Sequence, residues 1–142
     1  MYLLLVLALF GPARCWPAMC LCASDASNLP AVVVAAVEEM DAVFSGRATR
    51  TARVRGPEHW LETTFEIESH WKGQEVKRVR VRTPWFAALC GFPFEHGKRY
   101  LVYAVIEEDG RLYTDACTRT KLLEHAEDEV LQLDRIVGHE DD

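Results

Sequence analysis

Cysteine and histidine are the side chains most able to do chemistry in this chain, and their spacing decides which chemistry is open to it. The cysteines are Cys15, Cys20, Cys22, Cys90 and Cys117, an odd set of five that hints at a free thiol. Removing Cys15 leaves four, which allow three pairings that the sequence alone does not choose between. A bridge from Cys20 to Cys22 would be strained, so each is expected to reach a distant partner. Bridges closing loops that long stabilise by roughly 2–4 kcal/mol each, mostly by restricting the unfolded chain. The competing reading is a metal site using Cys20, Cys22 and a histidine, but Cys-x-Cys is not followed by a second closely spaced ligand pair. His59, His70, His96, His125 and His139 share no metal-ligand spacing, and no His-Glu-x-x-His occurs. Each reads as a surface or loop residue. Ser45 precedes Gly46 without the context of a nucleophile elbow, and no P-loop or dinucleotide glycine pattern is present. No residue set reads as an active site, so neither an enzyme nor a cofactor is expected.

Composition narrows the remaining classes. At 142 residues the chain has room for one domain, and 49% hydrophobic with 27% charged residues is ordinary for a globular fold. The net charge of −6 argues against nucleic acid as a partner, because a phosphate-binding surface normally shows as a basic excess. Arginine and lysine crowd between Arg47 and Arg82, and the C-terminal end is acidic.

Residues 2–10 are an unbroken apolar run closed by Gly11-Pro12. The run is shorter than the ~20 residues that span a bilayer, and it suits the hydrophobic core of a signal peptide, although no Lys or Arg precedes it. Residues 1–19 are therefore expected to be a leader, cut somewhere between 15 and 19. By the small-residue rule, a cut after Cys15 is the most favoured, one after Ala18 comes next, and one after Met19 is the least favoured. The mature domain, residues 20–142, is expected to be secreted (extracellular or periplasmic), monomeric and free of the membrane after cleavage.

The elements that must position the cysteines can be read from periodicity. Asn28 or Ser27 is placed to cap a helix running to Met40, with Pro30 near its first turn. Residues 42–55 read as a long strand with a glycine bend at Gly46. Residues 60–71 alternate as a half-buried strand, and residues 76–83 alternate valine with arginine and lysine. Residues 84–95 form an aromatic loop holding Cys90-Gly91. Residues 100–106 read as a central strand, and Asp109-Gly110 turns it into a last strand at 112–114. Leu122, Leu123, Ala126, Val130, Leu133 and Val137 have helical spacing, predicting an amphipathic helix over 121–137. Five strands with flanking helices give a mostly β, α+β domain, and a small closed barrel fits this order.

Taken in order, Cys20-Leu21-Cys22, Val43-Phe44-Ser45-Gly46, Trp71-Lys72-Gly73, Cys90-Gly91-Phe92-Pro93-Phe94, Gly97-Lys98-Arg99-Tyr100-Leu101-Val102-Tyr103 and Cys117-Thr118-Arg119-Thr120 resemble the N-terminal domain of the tissue inhibitors of metalloproteinases. That domain is a netrin-like module with a five-stranded oligonucleotide/oligosaccharide-binding-type (OB-fold-like) barrel. The resemblance implies the pairs Cys20–Cys90 and Cys22–Cys117 and a mature chain that starts at Cys20. It also implies a partner, a zinc metalloendopeptidase, whose catalytic zinc is chelated in trans by the α-amine and carbonyl oxygen of Cys20. A catalytic zinc keeps one position for water, and a terminal amine with a pKa near ~7.7–8 can be deprotonated to take that place. Leu21 would enter the specificity pocket of the target, and Ala88, Leu89 and Cys90 would form a second contact strip. The alternative expectation is a non-inhibitory binding module for a protein or glycan, with Lys77, Arg78, Arg80 and Arg82 as its face.

Overall fold

The computed structural model describes residues 20–22, 28–56 and 59–138. The expected leader, residues 1–19, lies outside the described residues, as do residues 139–142 with His139. The elements run α1 (Leu29–Glu39), β1 (Ala42–Val54), β2 (Trp60–Lys72), β3 (Arg78–Pro84), β4 (Arg99–Ile106), β5 (Leu112–Tyr113), β6 (Lys121–Leu122) and α2 (Glu127–Val137). The fold is mostly β with two flanking helices, as the alternation along the chain predicts.

Two long strands carry the architecture. β1 and β2 pair antiparallel from Val43↔Lys72 to Val54↔Trp60, and β1 also pairs with β4 from Ala42↔Ala104 to Arg47↔Arg99. β2 pairs with β3, β3 with β5 in parallel, and β4 with β5 and β6. β1 pairs with β2 on one edge and β4 on the other over Val43–Arg47, and its register against β2 shifts at three places, one of them between Ser45 and Gly46. A Cβ at Gly46 would lie 2.6 Å from the Glu66 carbonyl oxygen, so only glycine allows the strands to approach this closely.

Burial follows from the same alternation. Phe44, Ala48, Phe65, Val81, Tyr100, Val102 and Ala104 meet in one cluster, with Phe92 and Phe94 packed against it. Val43, Leu101 and Tyr103 face the other way and are covered by Val33 and Ala36 of α1, by Ala126, and by Leu133 of α2. β4 is buried on both faces, which is why it reads as a continuous apolar run. Lys72 closes the C-terminal end of α1, its Nζ donating to the Val37 carbonyl at 2.6 Å.

The C-terminal segment corrects the expected helix over 121–137. The helix begins only at Glu127, preceded by a single 3₁₀ turn at Leu123–His125 and by the two residues of β6, a sixth strand that periodicity did not reveal. Lys121 and Leu122 pair with Leu101 and Tyr100 because Thr120 draws the chain alongside β4, its Oγ1 accepting the Tyr103 N–H at 3.0 Å. Glu127, Asp128 and Glu129 then supply the negative first turn that favours a helix start, which Lys121 would oppose.

Candidate functional site

Two loops and the N-terminal segment meet at one end of the sheet. The loop after β3 is held by hydrogen bonds besides its bridge: the Phe92 N–H donates to Thr83 Oγ1 at 2.8 Å, and the Trp85 N–H to the His59 carbonyl at 2.9 Å. Phe92 and Phe94 stand edge-on to Tyr100 and anchor the loop in the interior. Ala87–Leu89 make a 3₁₀ turn, and Cys90 follows at φ 66°, a left-handed conformation closed by its N–H bond to the Ala87 carbonyl. Gly91 sits so tightly behind it that a Cβ would lie 2.1 Å from the Pro84 carbonyl oxygen.

The Cys117 loop is held from the other side. Asp115 Oδ1 accepts the N–H groups of Cys117 (2.8 Å) and Thr118 (3.1 Å), a local turn that aspartate favours. Thr114 Oγ1 donates to the Tyr103 carbonyl at 2.7 Å, and the Ala116 N–H donates to the Cys90 carbonyl at 2.7 Å, so the two loops touch through backbone.

Below the loop, Glu129 of α2 is almost fully buried, with 3% of its side chain exposed. It accepts from Tyr103 Oη at 2.8 Å, from Arg119 Nε at 2.6 Å and from Lys121 Nζ. Burial alone would raise its carboxyl, but the hydrogen bonds from Arg119, Lys121 and Tyr103 outweigh it and hold the group below the ordinary glutamate value. Burial pushes the Tyr103 hydroxyl far up, so it remains a donor. This network ties the end of the Cys117 loop to α2.

Cys20-Leu21-Cys22 joins both loops. Cys20 is bonded to Cys90 (S–S 1.91 Å) and Cys22 to Cys117 (S–S 2.05 Å), the same two pairs that the resemblance implies. Each partner lies 5.0 Å away between Cα atoms. Leu21, between the bridges, is 88% exposed, and Leu89, beside Cys90, is 58% exposed. Ala88 is exposed as well. The six residues expected to make contact, Cys20, Leu21, Cys22, Ala88, Leu89 and Cys90, are thus gathered in one place.

The structure adds an aromatic patch that the sequence reading left undivided within its loop. Trp85 stacks on Phe86 with centroids 5.2 Å apart, His59 stands edge-on to both, and the Arg53 guanidinium lies 3.6 Å over the Trp85 ring. Phe86 is 47% exposed one residue before the turn of Ala88 and Leu89. The signal available in the sequence was a Trp-Phe pair placed between Pro84 and the cysteine.

The basic strand looks different in its setting. Arg78 lies opposite Glu66 and Arg82 opposite Glu62, and Arg80 also reaches Glu62. These arginines face carboxylates of β2; Arg82 is largely covered, whereas Arg78 and Arg80 remain mostly exposed. Among the described residues, the sulfurs of Cys20, Cys22 and Cys117 lie within 4.8 Å of one another, but all three are bonded in the two bridges and none is a free thiolate. No helix among those residues is long and apolar enough to cross a membrane. No protein-family model matches the sequence, and no curated protein matches it.

Proposed function

We propose that this protein is a secreted, monomeric inhibitor of zinc metalloendopeptidases, built on a netrin-like barrel of the OB type. The observation that carries the reading is the double bridge: it holds Cys20-Leu21-Cys22 against the Ala88-Leu89-Cys90 turn and leaves two leucines facing water. The circuit of pairings β1-β2-β3-β5-β4-β1 supports a closed five-stranded barrel, with β6 and the helices outside it. The apolar leader and the paired cysteines support export.

The chemistry is that of a chelating N-terminus. After cleavage before Cys20, its α-amine and carbonyl oxygen form a five-membered chelate for the zinc of the target and displace the bound water. The bridge to Cys90 fixes that geometry in advance, so little ordering is left for the moment of binding. Leu21 follows into the adjacent pocket, and Leu89 and Phe86 extend the contact.

The test is N-terminal sequencing of the secreted form, followed by assays against a panel of zinc endopeptidases. Protein starting at Cys20 inhibits with slow dissociation, and acetylating its α-amine or retaining Met19 abolishes inhibition. A panel left untouched by pure protein starting at Cys20 overturns the reading.

A further inference from the structure

β1 has two neighbours over only part of its length. β4 lies beside it as far as Arg47↔Arg99. The last bonds on that edge are Ala48 N–H to the Lys98 carbonyl (2.9 Å) and Gly97 N–H to the Ala48 carbonyl (2.7 Å). β2 continues alongside to Val54↔Trp60. Among the described residues, Thr49–Val54 therefore pair through backbone with β2 alone, and their opposite edge is open. From Arg50 to Val54 the register is regular, so alternate residues send both N–H and C=O into that open edge. The stretch is roughly 20 Å long.

An open edge is a template for another strand, and the charges along it select which strand can pair. Arg50, Arg53 and Arg55 are all exposed here, and none of them meets a carboxylate among the described residues. Elsewhere in the sheet the arginines are paired: Arg78, Arg80, Arg82, Arg99 and Arg111 each lie within salt-bridge distance of an acidic side chain. The guanidinium of Arg53 lies 3.6 Å over the Trp85 ring, which fixes the cation without neutralising it. Arg50 and Arg53 stand on opposite faces of the strand, so the open backbone is flanked by positive charge on both sides.

We propose that Thr49–Val54 is a docking edge for an acidic, extended segment of a partner protein, which adds to the sheet as a strand beside β1. Backbone bonds hold such a segment, and its carboxylates meet Arg50 on one face and Arg53 on the other. A second copy of this chain is the wrong occupant, because antiparallel pairing of two such edges sets arginine against arginine. The assignment uses none of Cys20, Leu21 and Cys22 and does not rest on the inhibitory reading.

The experiment titrates the isotope-labelled, disulfide-bonded chain with a capped peptide alternating glutamate and threonine, and follows backbone amide exchange by NMR. The expected result is slowed exchange at alternate residues within Arg50–Val54, with the other amides of β1 unchanged. Binding weakens as salt rises. Arg50→Ala weakens it by up to ~5-fold with an unchanged thermal midpoint, and Arg50→Glu moves the preference toward a lysine–threonine peptide. The glutamate peptide N-methylated throughout keeps its charge and loses its donors, and binds ~10-fold or more weakly. Equal binding of the N-methylated peptide shows charge attraction alone and overturns the proposal. So do protection without the alternation, a lysine–threonine peptide bound as well by the parent chain, or a dimer paired through Arg50–Val54. Protection that is present without peptide and vanishes when residues 139–142 are removed overturns it too, by making the chain's own acidic end the occupant.

Discussion

Replacing Leu21 with alanine separates docking from folding more cleanly than any other change. Leu21 is 88% exposed between two bridged cysteines, so the folded chain gains almost nothing from its side chain. The substitution removes three carbons, each worth about 0.8 kcal/mol when taken out of water. If the side chain is fully buried by a target, nearly all of that is lost on binding, about 2 kcal/mol, or about 30-fold in the inhibition constant. The stability of the free protein should move by no more than ~0.5 kcal/mol. The measurement is a pair: inhibition of a sensitive zinc endopeptidase by chain starting at Cys20, and the thermal midpoint of the free protein. Leu21→Met, which keeps volume, should stay within a few-fold of the parent. Unchanged inhibition by Leu21→Ala refutes the idea that this side chain enters a pocket. A lowered midpoint with unchanged inhibition makes Leu21 a structural spacer.

Further expectations concern what holds this edge in place. Glu129→Gln leaves Arg119 and Lys121 without their carboxylate. The two cations keep 27% and 30% exposure and regain some hydration, so a loss near the lower bound for a broken buried pair is expected, about 3 kcal/mol and a midpoint lower by roughly 6–12 °C. Because the Glu129 carboxyl is held below its ordinary value in the folded state, its contribution is present above ~4.3 and fades as pH falls through the lowered value. The gap between parent and Glu129→Gln midpoints should therefore close in acid, and a gap that widens there contradicts the network. Gly91→Ala must push a methyl into the Pro84 carbonyl, so the Cys90 turn should shift, with a stability loss of ~1–3 kcal/mol and slower closure of the Cys20–Cys90 bridge, read by thiol trapping during refolding. Mild reduction should release residues 20–22 while the sheet persists, since neither core cluster contains them; loss of the sheet signal together with the bridges would show that they hold the core.

Most of the sheet was legible because period-two alternation survives wherever one face is buried, as in β2 and β3, and because β4, buried on both faces, reads as an apolar run. The bend at Gly46 was legible for the same local reason. β6 was not, since two residues carry no period, and their pairing with β4 is decided by Thr120 reaching the Tyr103 backbone, seventeen residues away in sequence. Helical spacing continued through Leu122 and Leu123 because β6 and the 3₁₀ turn also present apolar residues to the interior, Leu122 to one cluster and Leu123 to the other. The arginines of β3 could not be judged alone, because their partners Glu62 and Glu66 are fixed by strand register. At the cysteines, residue spacing left three pairings open. The buried Glu129 is one of several acids near the acidic C-terminal end, and it acquires its role only from Tyr103, Arg119 and Lys121, which lie outside its helix.

The placement of the bridges also bears on why they exist. A chain that needed disulfides to supplement a thin core would gain most from burying the residues around them, yet Leu21 and Leu89 lie beside the bridges in water. Leaving a leucine exposed forgoes roughly 1.5–3 kcal/mol of burial. Each loop that receives a bridge is already fixed by its own hydrogen bonds, the Cys90 turn by Thr83 and Ala87 and the Cys117 loop by Asp115 and Tyr103. What the bridges add is the position of a three-residue segment, with backbone clamped at both ends and an apolar side chain turned outward. If a partner closes on Leu21 as proposed, that arrangement lowers the entropy it must remove, in addition to the roughly 2–4 kcal/mol that each bridge contributes by restricting the unfolded chain.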